Sequence, residues 1–216
     1  MKSILYLIKF ELFILLKHNL TRSVVINMFG FLIIVLFNRI VLDSVFGTIP
    51  WSLIFISVLH ICYVPLMFSW EKTKYSEQLF DYSDTNKIIS KWLVVILYNI
   101  VCLLITSLLF FNQKEIIFGI VANALFIVGI LSSIGISYAF YHPINVDIDS
   151  KNGYRKFYNT QRWVISLAPI LIICVWGLIG QFEYIALDVY YKIISMLGIG
   201  GFSIMGIWIF CIYKFN

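Results

Sequence analysis

The sequence predicts an all-α, polytopic membrane protein, and three observations carry that prediction. Of 216 residues, 61% are apolar and 12% charged, with a mean hydropathy of +0.94, whereas a soluble domain carries about 25% charged residues. The polar residues are gathered into two long intervals, 71–91 and 142–162, and a few short turns. A span needs about 20 apolar residues, so the length holds six spans with short connections and no separate soluble domain. Any catalytic or motor domain must then be another chain.

Residues 1–22 form the first element. The run from Lys2 to Asn19 is apolar, but Lys9, Glu11 and Lys17 interrupt it and no small-residue cleavage site follows, which fits neither a signal peptide nor a comfortable span. Lys2 and Lys9 share one helical face with Tyr6 between them. The segment reads as an amphipathic helix lying in the interface with its lysines toward anionic headgroups.

Spans follow near 24–41, 51–70, 92–111, 116–141, 163–180 and 193–213. Arg39 lies close enough to the end of the first to snorkel outward, and Asn112 to Glu115 make a tight hairpin between the third and fourth. Pro143 and Asn152-Gly153 mark turns in the second polar interval. The segment from Gln181 to Lys192 is too polar for the core yet holds Phe182, Tyr184, Tyr190 and Tyr191, which suits an interfacial or shallow re-entrant piece.

Charge sets the orientation. With the N-terminus inside, only Arg39, Lys114 and Lys192 of the 16 basic residues fall outside. The positive-inside rule therefore places both long polar intervals and both termini in the cytoplasm. The net charge of +5 is accounted for by this bias and implies no nucleic-acid partner.

The interval from Phe68 to Lys91 is the longest polar stretch. Charges of both signs alternate there with Tyr75, Leu79, Phe80, Tyr82, Ile88 and Ile89, with no Gly or Pro. Two readings stand: a solvated loop, or a helix with one wet side and one docking side. Ser83 or Asp84 is placed to cap a helical start running through Lys87 and Lys91 into the next span.

Within the spans the polar residues are few. The 11 acidic residues all fall at ends or loops on this assignment, which counts against an ion-coupled carrier, a class that usually needs an intramembrane carboxylate. His60 reads as a neutral side chain bonded to a neighbouring helix, with proton handling as the alternative. Asn27, Asn99 and Asn123 are deep, either bonding between helices or lining a pathway. Gly129, Ser133 and Ser137 recur every four residues and read as a helix-packing surface; Gly198, Gly200 and Gly201 either serve the same end or loosen the last helix. The four cysteines, Cys62, Cys102, Cys174 and Cys211, lie far apart in apolar runs and read as buried core residues. No nucleotide-binding loop or hydrolase motif occurs, so the chain is not expected to be an enzyme or to bind a cofactor itself.

The layout resembles the membrane subunit of an ABC exporter of the type-2 (type V) family. The local match is Trp70-Glu71-Lys72, then Glu77 and Leu79, a helix-breaking interval at Ser83 to Thr85, then Ile88-Ile89 and Lys91 opening the third span; the family's Gly-Thr pair and Pro are absent here. The resemblance implies a coupling helix between spans two and three, with Glu71, Lys72, Glu77, Leu79, Phe80, Asp81, Tyr82 and Lys91 docking a cytoplasmic ATPase. It also implies a homo- or heterodimer of permeases in the plasma (bacterial inner) membrane, in contact with its lipids, with ATP and Mg held by the partner ATPase. The alternatives are a non-transporting structural or regulatory subunit of a membrane complex and an ion-coupled carrier or channel.

Overall fold

The computed structural model describes residues 2–17, 26, 29–30, 32–37, 40, 56, 63–64, 67–68, 82–143 and 187–215. Among them every regular element is helical: α1 (Lys2–Lys17), α2 (Asp84–Leu109), α3 (Lys114–Phe126), a π turn (Ile127–Leu131), α4 (Ser132–Tyr141) and α5 (Leu187–Phe215). Among the described residues three stretches are long and apolar enough to cross a membrane: Asp84–Leu109, Ile116–Tyr141 and Tyr191–Lys214. A 26-residue helix reaches about 39 Å at 1.5 Å per residue, more than the roughly 30 Å of a hydrocarbon core. The chain is a helical membrane protein. The spans expected near 24–41, 51–70 and 163–180 lie largely or wholly outside the described residues.

The starts of α2 and α3 have local reasons. Ser83 is extended and its hydroxyl accepts from the Asn86 amide at 3.3 Å, while Asp84, the acidic residue of the first turn, pairs with Lys87 at 3.4 Å. This is an N-cap with a negative charge toward the helix's positive end. The helix then runs without interruption to Leu109, so the last eight residues of the polar interval 71–91 and the span are one rod. The tight hairpin closes as the Gln113 amide donates to the Phe110 carbonyl at 2.8 Å, and α3 starts at Lys114.

The rod α3–π turn–α4 is the centre of the described bundle. Of its apolar window 72% is buried, against 28% for α2 and 22% for α5. Two hydrophobic clusters are stacked along it. One gathers Phe110, Ile116, Ile120, Phe126, Ile127 and Ile194 near the α2–α3 hairpin. The other joins α1 to the opposite end, through Leu7, Phe10, Ile14, Val94, Ile136 and Met205. Aromatic rings collect around this second cluster. Tyr6 stacks on Tyr82 at 6.0 Å, Phe140 meets Trp208 edge-on at 5.9 Å, and the Trp208 indole N–H donates to the Tyr141 hydroxyl at 3.3 Å, as suits a membrane–water boundary.

The central rod crosses α5 at glycine. A Cβ on Gly129 would fall on the Gly198 carbonyl, and one on Gly198 would stand 2.6 Å from the Leu125 carbonyl oxygen. Gly201 faces Gly129 in the same way, and the Ser133 hydroxyl donates to the Gly201 carbonyl at 3.1 Å. Only glycine permits backbones this close. The crossing coincides with the π turn, where the wider ring is stitched by the Ser132 hydroxyl donating to the Ile127 carbonyl at 3.1 Å.

Three expectations are corrected. Residues 187–192 are not a separate interfacial piece but the first turns of α5, with Lys192 exposed; 181–186 lie outside the described residues. The sequence predicts buried cysteines, and Cys102 is buried, whereas Cys211 is exposed on α5, because an apolar residue of a span can face lipid as readily as a neighbouring helix. Asp84 and Thr85 are helical and not part of a break.

Candidate functional site

The most unusual chemistry lies where α1 meets α2. Along α1 the buried face is Leu7, Phe10, Ile14 and Leu15, and Glu11 sits in the middle of that stripe with 1% of its surface exposed. Along α2 the facing stripe is Ile88, Val94 and Val95, with Lys91 in its middle and fully buried. Each stripe follows the three-and-four spacing of a helical face, so a carboxylate and an ammonium are carried to one point by two apolar surfaces. The Lys91 ammonium donates to Glu11 Oε1, and the Tyr63 hydroxyl donates to Glu11 Oε2 at 2.9 Å. The same ammonium lies 4.9 Å from the centre of the Phe68 ring.

Physical chemistry explains why this cluster must be complete. A charge taken out of water costs several kcal/mol unless it is paired and its remaining sites are bonded. Here the carboxylate has a donor on each oxygen, and the ammonium has a carboxylate and a ring face, an arrangement that strengthens as water is excluded. Four residues from distant parts of the chain, Glu11, Tyr63, Phe68 and Lys91, are thereby tied together. The tie joins the N-terminal helix to the first turns of a span and to the segment just before the polar interval.

This changes the reading of two residues. Lys91 is expected among the docking residues, but its ammonium is turned into the body and has no surface for a partner. Glu11 is expected as a charge that interrupts the run of an interfacial helix, outside the spans, yet it is an interior carboxylate. The signal lay in the sequence: Glu11 occupies the centre of the stripe Leu7, Phe10, Ile14, and a carboxyl buried on an apolar face needs a polar or charged partner opposite.

Of the other docking residues, Tyr82 is half-buried and stacked on Tyr6. Glu71, Lys72, Glu77, Leu79, Phe80 and Asp81 lie outside the described residues, as do Asn27 and His60. Asn99 and Asn123 are both buried. The Asn99 amide donates to the Val95 carbonyl of its own helix at 2.8 Å, its oxygen has no partner, and neither polar atom of Asn123 has one. Gly129 and Ser133 belong to the glycine crossing described above, while Ser137 lines an open groove between α4 and α5. Among the described residues no group of three or more His, Cys, Asp or Glu side chains can hold a metal ion.

Comparison of the chain with protein-family models, curated proteins and solved structures finds no match. The site is read from its own geometry.

Proposed function

We propose that the chain is the permease subunit of an ATP-driven exporter of the ABC type, which forms the translocation pathway and receives its energy from a separate cytoplasmic ATPase. The observation that carries this reading is the continuity of α2. The end of the interval 71–91 and the span are one helix, and Lys91 pins that helix to α1 through Glu11. A displacement applied to the polar interval is therefore passed on as a rigid movement of both helices, which is the behaviour required of a coupling element.

Two further features support it. The unpaired amide atoms of Asn99 and Asn123 are polar points inside an apolar bundle, of the kind that a pathway for a solute uses. Glu11 is engaged by Lys91 and Tyr63, which fits a tie between helices. On this reading the termini and both polar intervals are cytoplasmic, two permease protomers associate in the plasma membrane, and ATP and Mg are bound by the partner.

The test is purification of the native complex in mild detergent. A cytoplasmic ATPase should accompany the chain, and its hydrolysis should change when the membrane subunit is present. If no ATPase accompanies it, the chain is instead a structural or regulatory subunit of a membrane complex.

A further inference from the structure

Between α4 and α5, on the side of the glycine crossing toward the 142–162 interval, lies an open groove of about 510 Å³. Its walls are Ser133, Ile134 and Ser137 on one helix and Ile204 and Met205 on the other; Tyr138, Tyr141, His142 and Trp208 surround its far end. We propose that this groove binds one phospholipid of the surrounding leaflet, with an acyl chain along the walls and the headgroup at the Tyr141–His142 mouth.

Three observations select a lipid as the occupant. The first is position. Gly129 stands at the middle of the span Ile116–Tyr141 and Gly201 at the middle of Tyr191–Lys214, so the backbone contact that closes the groove's inner end lies at the bilayer midplane. From Ser133 to Tyr141 the helix rises about 12 Å, close to one leaflet's share, about 15 Å, of the hydrocarbon core. The groove thus has the length and depth of a single tail from one leaflet.

The second is the segregation of its chemistry. The Ser133 hydroxyl donates to the Gly129 and Gly201 carbonyls, so Ser137 carries the remaining hydroxyl on walls otherwise built from apolar side chains. The other polar groups are gathered at the mouth. There the Tyr141 hydroxyl accepts from Trp208 at 3.3 Å and keeps its own hydrogen to donate, and the Tyr138 and His142 rings lie 4.7 Å apart. Among the described residues no carboxylate lines the groove, and its mouth offers donors to the phosphate and ester oxygens of a headgroup.

The third is accessibility. Ile134 and Ile204 are 60% and 61% exposed on helices that cross the membrane, so the groove opens sideways to hydrocarbon and is reached from the bilayer. The inference requires only that these helices span, and it is independent of the exporter reading.

The experiment reconstitutes the full chain in vesicles of phosphatidylethanolamine and phosphatidylglycerol, re-extracts it in detergent and counts retained phospholipid by native mass spectrometry. The wild-type chain should keep one phospholipid per copy, and Ser137→Trp and Ile204→Trp, each of which fills the groove from a partly exposed position, should lower that occupancy at least tenfold. A second measurement does not depend on how those variants fold. Phospholipid brominated high on its acyl chains should quench a component of tryptophan fluorescence that survives dilution with detergent and is lost in Trp208→Phe. Absence of retained lipid in the wild type, equal retention in both filled variants, or a quenching profile unchanged by Trp208→Phe would overturn the proposal. A dimer abolished by the same filling substitutions would overturn it in favour of a second copy as the occupant.

Discussion

Glu11 and Lys91, separated by 80 positions in the chain, meet as an ion pair whose side chains are 2% and 0% exposed. Such a pair is asymmetric in its energetics. Removing one partner strands a buried charge and costs about 3–5 kcal/mol, whereas replacing both with apolar groups of similar volume is neutral or favourable. Lys91→Met or Glu11→Leu alone should therefore lower the thermal stability of the detergent-solubilised chain sharply. The double substitution should recover most of that loss, short of wild type by about 1–3 kcal/mol for the stranded Tyr63 hydroxyl, as read from thermal unfolding. Additive losses in the double variant would show that the two side chains do not act on one another.

Tyr63 completes the carboxylate from the other side at 2.9 Å. Tyr63→Phe keeps the ring in its fully buried position and removes one hydrogen bond to a charged acceptor, worth about 1.5–3 kcal/mol. The loss should vanish when Tyr63→Phe is added to a chain already carrying Glu11→Leu and Lys91→Met, because no carboxylate then remains to be satisfied. A loss that persists in that background would mean the hydroxyl serves another partner.

How much of this was legible in the sequence depends on what each residue's neighbours reveal. The membrane class and the apolar stretches 92–111, 116–141 and 193–213 are visible because twenty apolar residues in a row have few other uses. The cap at Ser83 is visible because a small hydroxyl residue before a helical run has a specific task. Lys91 is misread because a lysine at the end of a charged interval looks solvated; its burial follows only from the helical phase it shares with Ile88, Val94 and Val95. Glu11 looks like an interruption when charges are counted along the chain and like a buried residue when they are placed around a helix. The π turn has no such signature, since Ile127 to Leu131 is as apolar as the helix on either side and the extra residue is set by packing against α5.

The glycine crossing should fail in a graded way. Gly129→Ala drives a methyl group into the Gly198 carbonyl, a backbone atom that cannot swing aside. Overpacking of this kind typically costs about 1–3 kcal/mol and occasionally more. Ser133→Ala leaves the helix contact intact and removes only hydrogen bonds to carbonyls, which average about 0.6 kcal/mol within membranes. Thermal unfolding should therefore rank Gly129→Ala well below Ser133→Ala, with Gly206→Ala, whose added methyl meets nothing within 4 Å, indistinguishable from wild type. Equal effects at Gly129 and Gly206 would mean that the close approach does not form in the folded chain.

Orientation can be read chemically. Single cysteines at Ser76 and Asn152, in a chain lacking Cys62, Cys102, Cys174 and Cys211, should resist a membrane-impermeant thiol reagent applied to intact cells and react once the cells are opened. A cysteine at Asn112, in the hairpin that follows α2 and whose side chain is exposed, should show the opposite pattern. The three positions are linked because α2 connects the first interval to that hairpin in one crossing. Labelling of Ser76 and Asn112 from the same side would mean that α2 does not span.

The coupling role separates residues that bind a partner from residues that transmit its movement. On the proposed reading Leu79, Phe80 and Tyr82 supply the apolar anchors for the ATPase, and such anchors carry most of an interface's energy. Phe80→Ala should release the ATPase from the solubilised complex, with a loss of about 2 kcal/mol or more for a hot spot. Glu77→Lys should weaken binding in a way that salt suppresses, because an exposed charge acts through a screened field. The combined Glu11→Leu and Lys91→Met chain should behave differently from both. Its pair is buried and offers no surface to a partner, so the ATPase should remain bound at wild-type strength, while α1 is joined to α2 by apolar contacts alone and no longer by a directional tie. Hydrolysis should then continue with a reduced response to the membrane subunit. Pull-down and ATPase measurements on the three variants separate the roles: loss of the ATPase from the doubly substituted chain would place Lys91 in the interface after all, and unchanged coupling would show that the pair holds the fold without relaying motion.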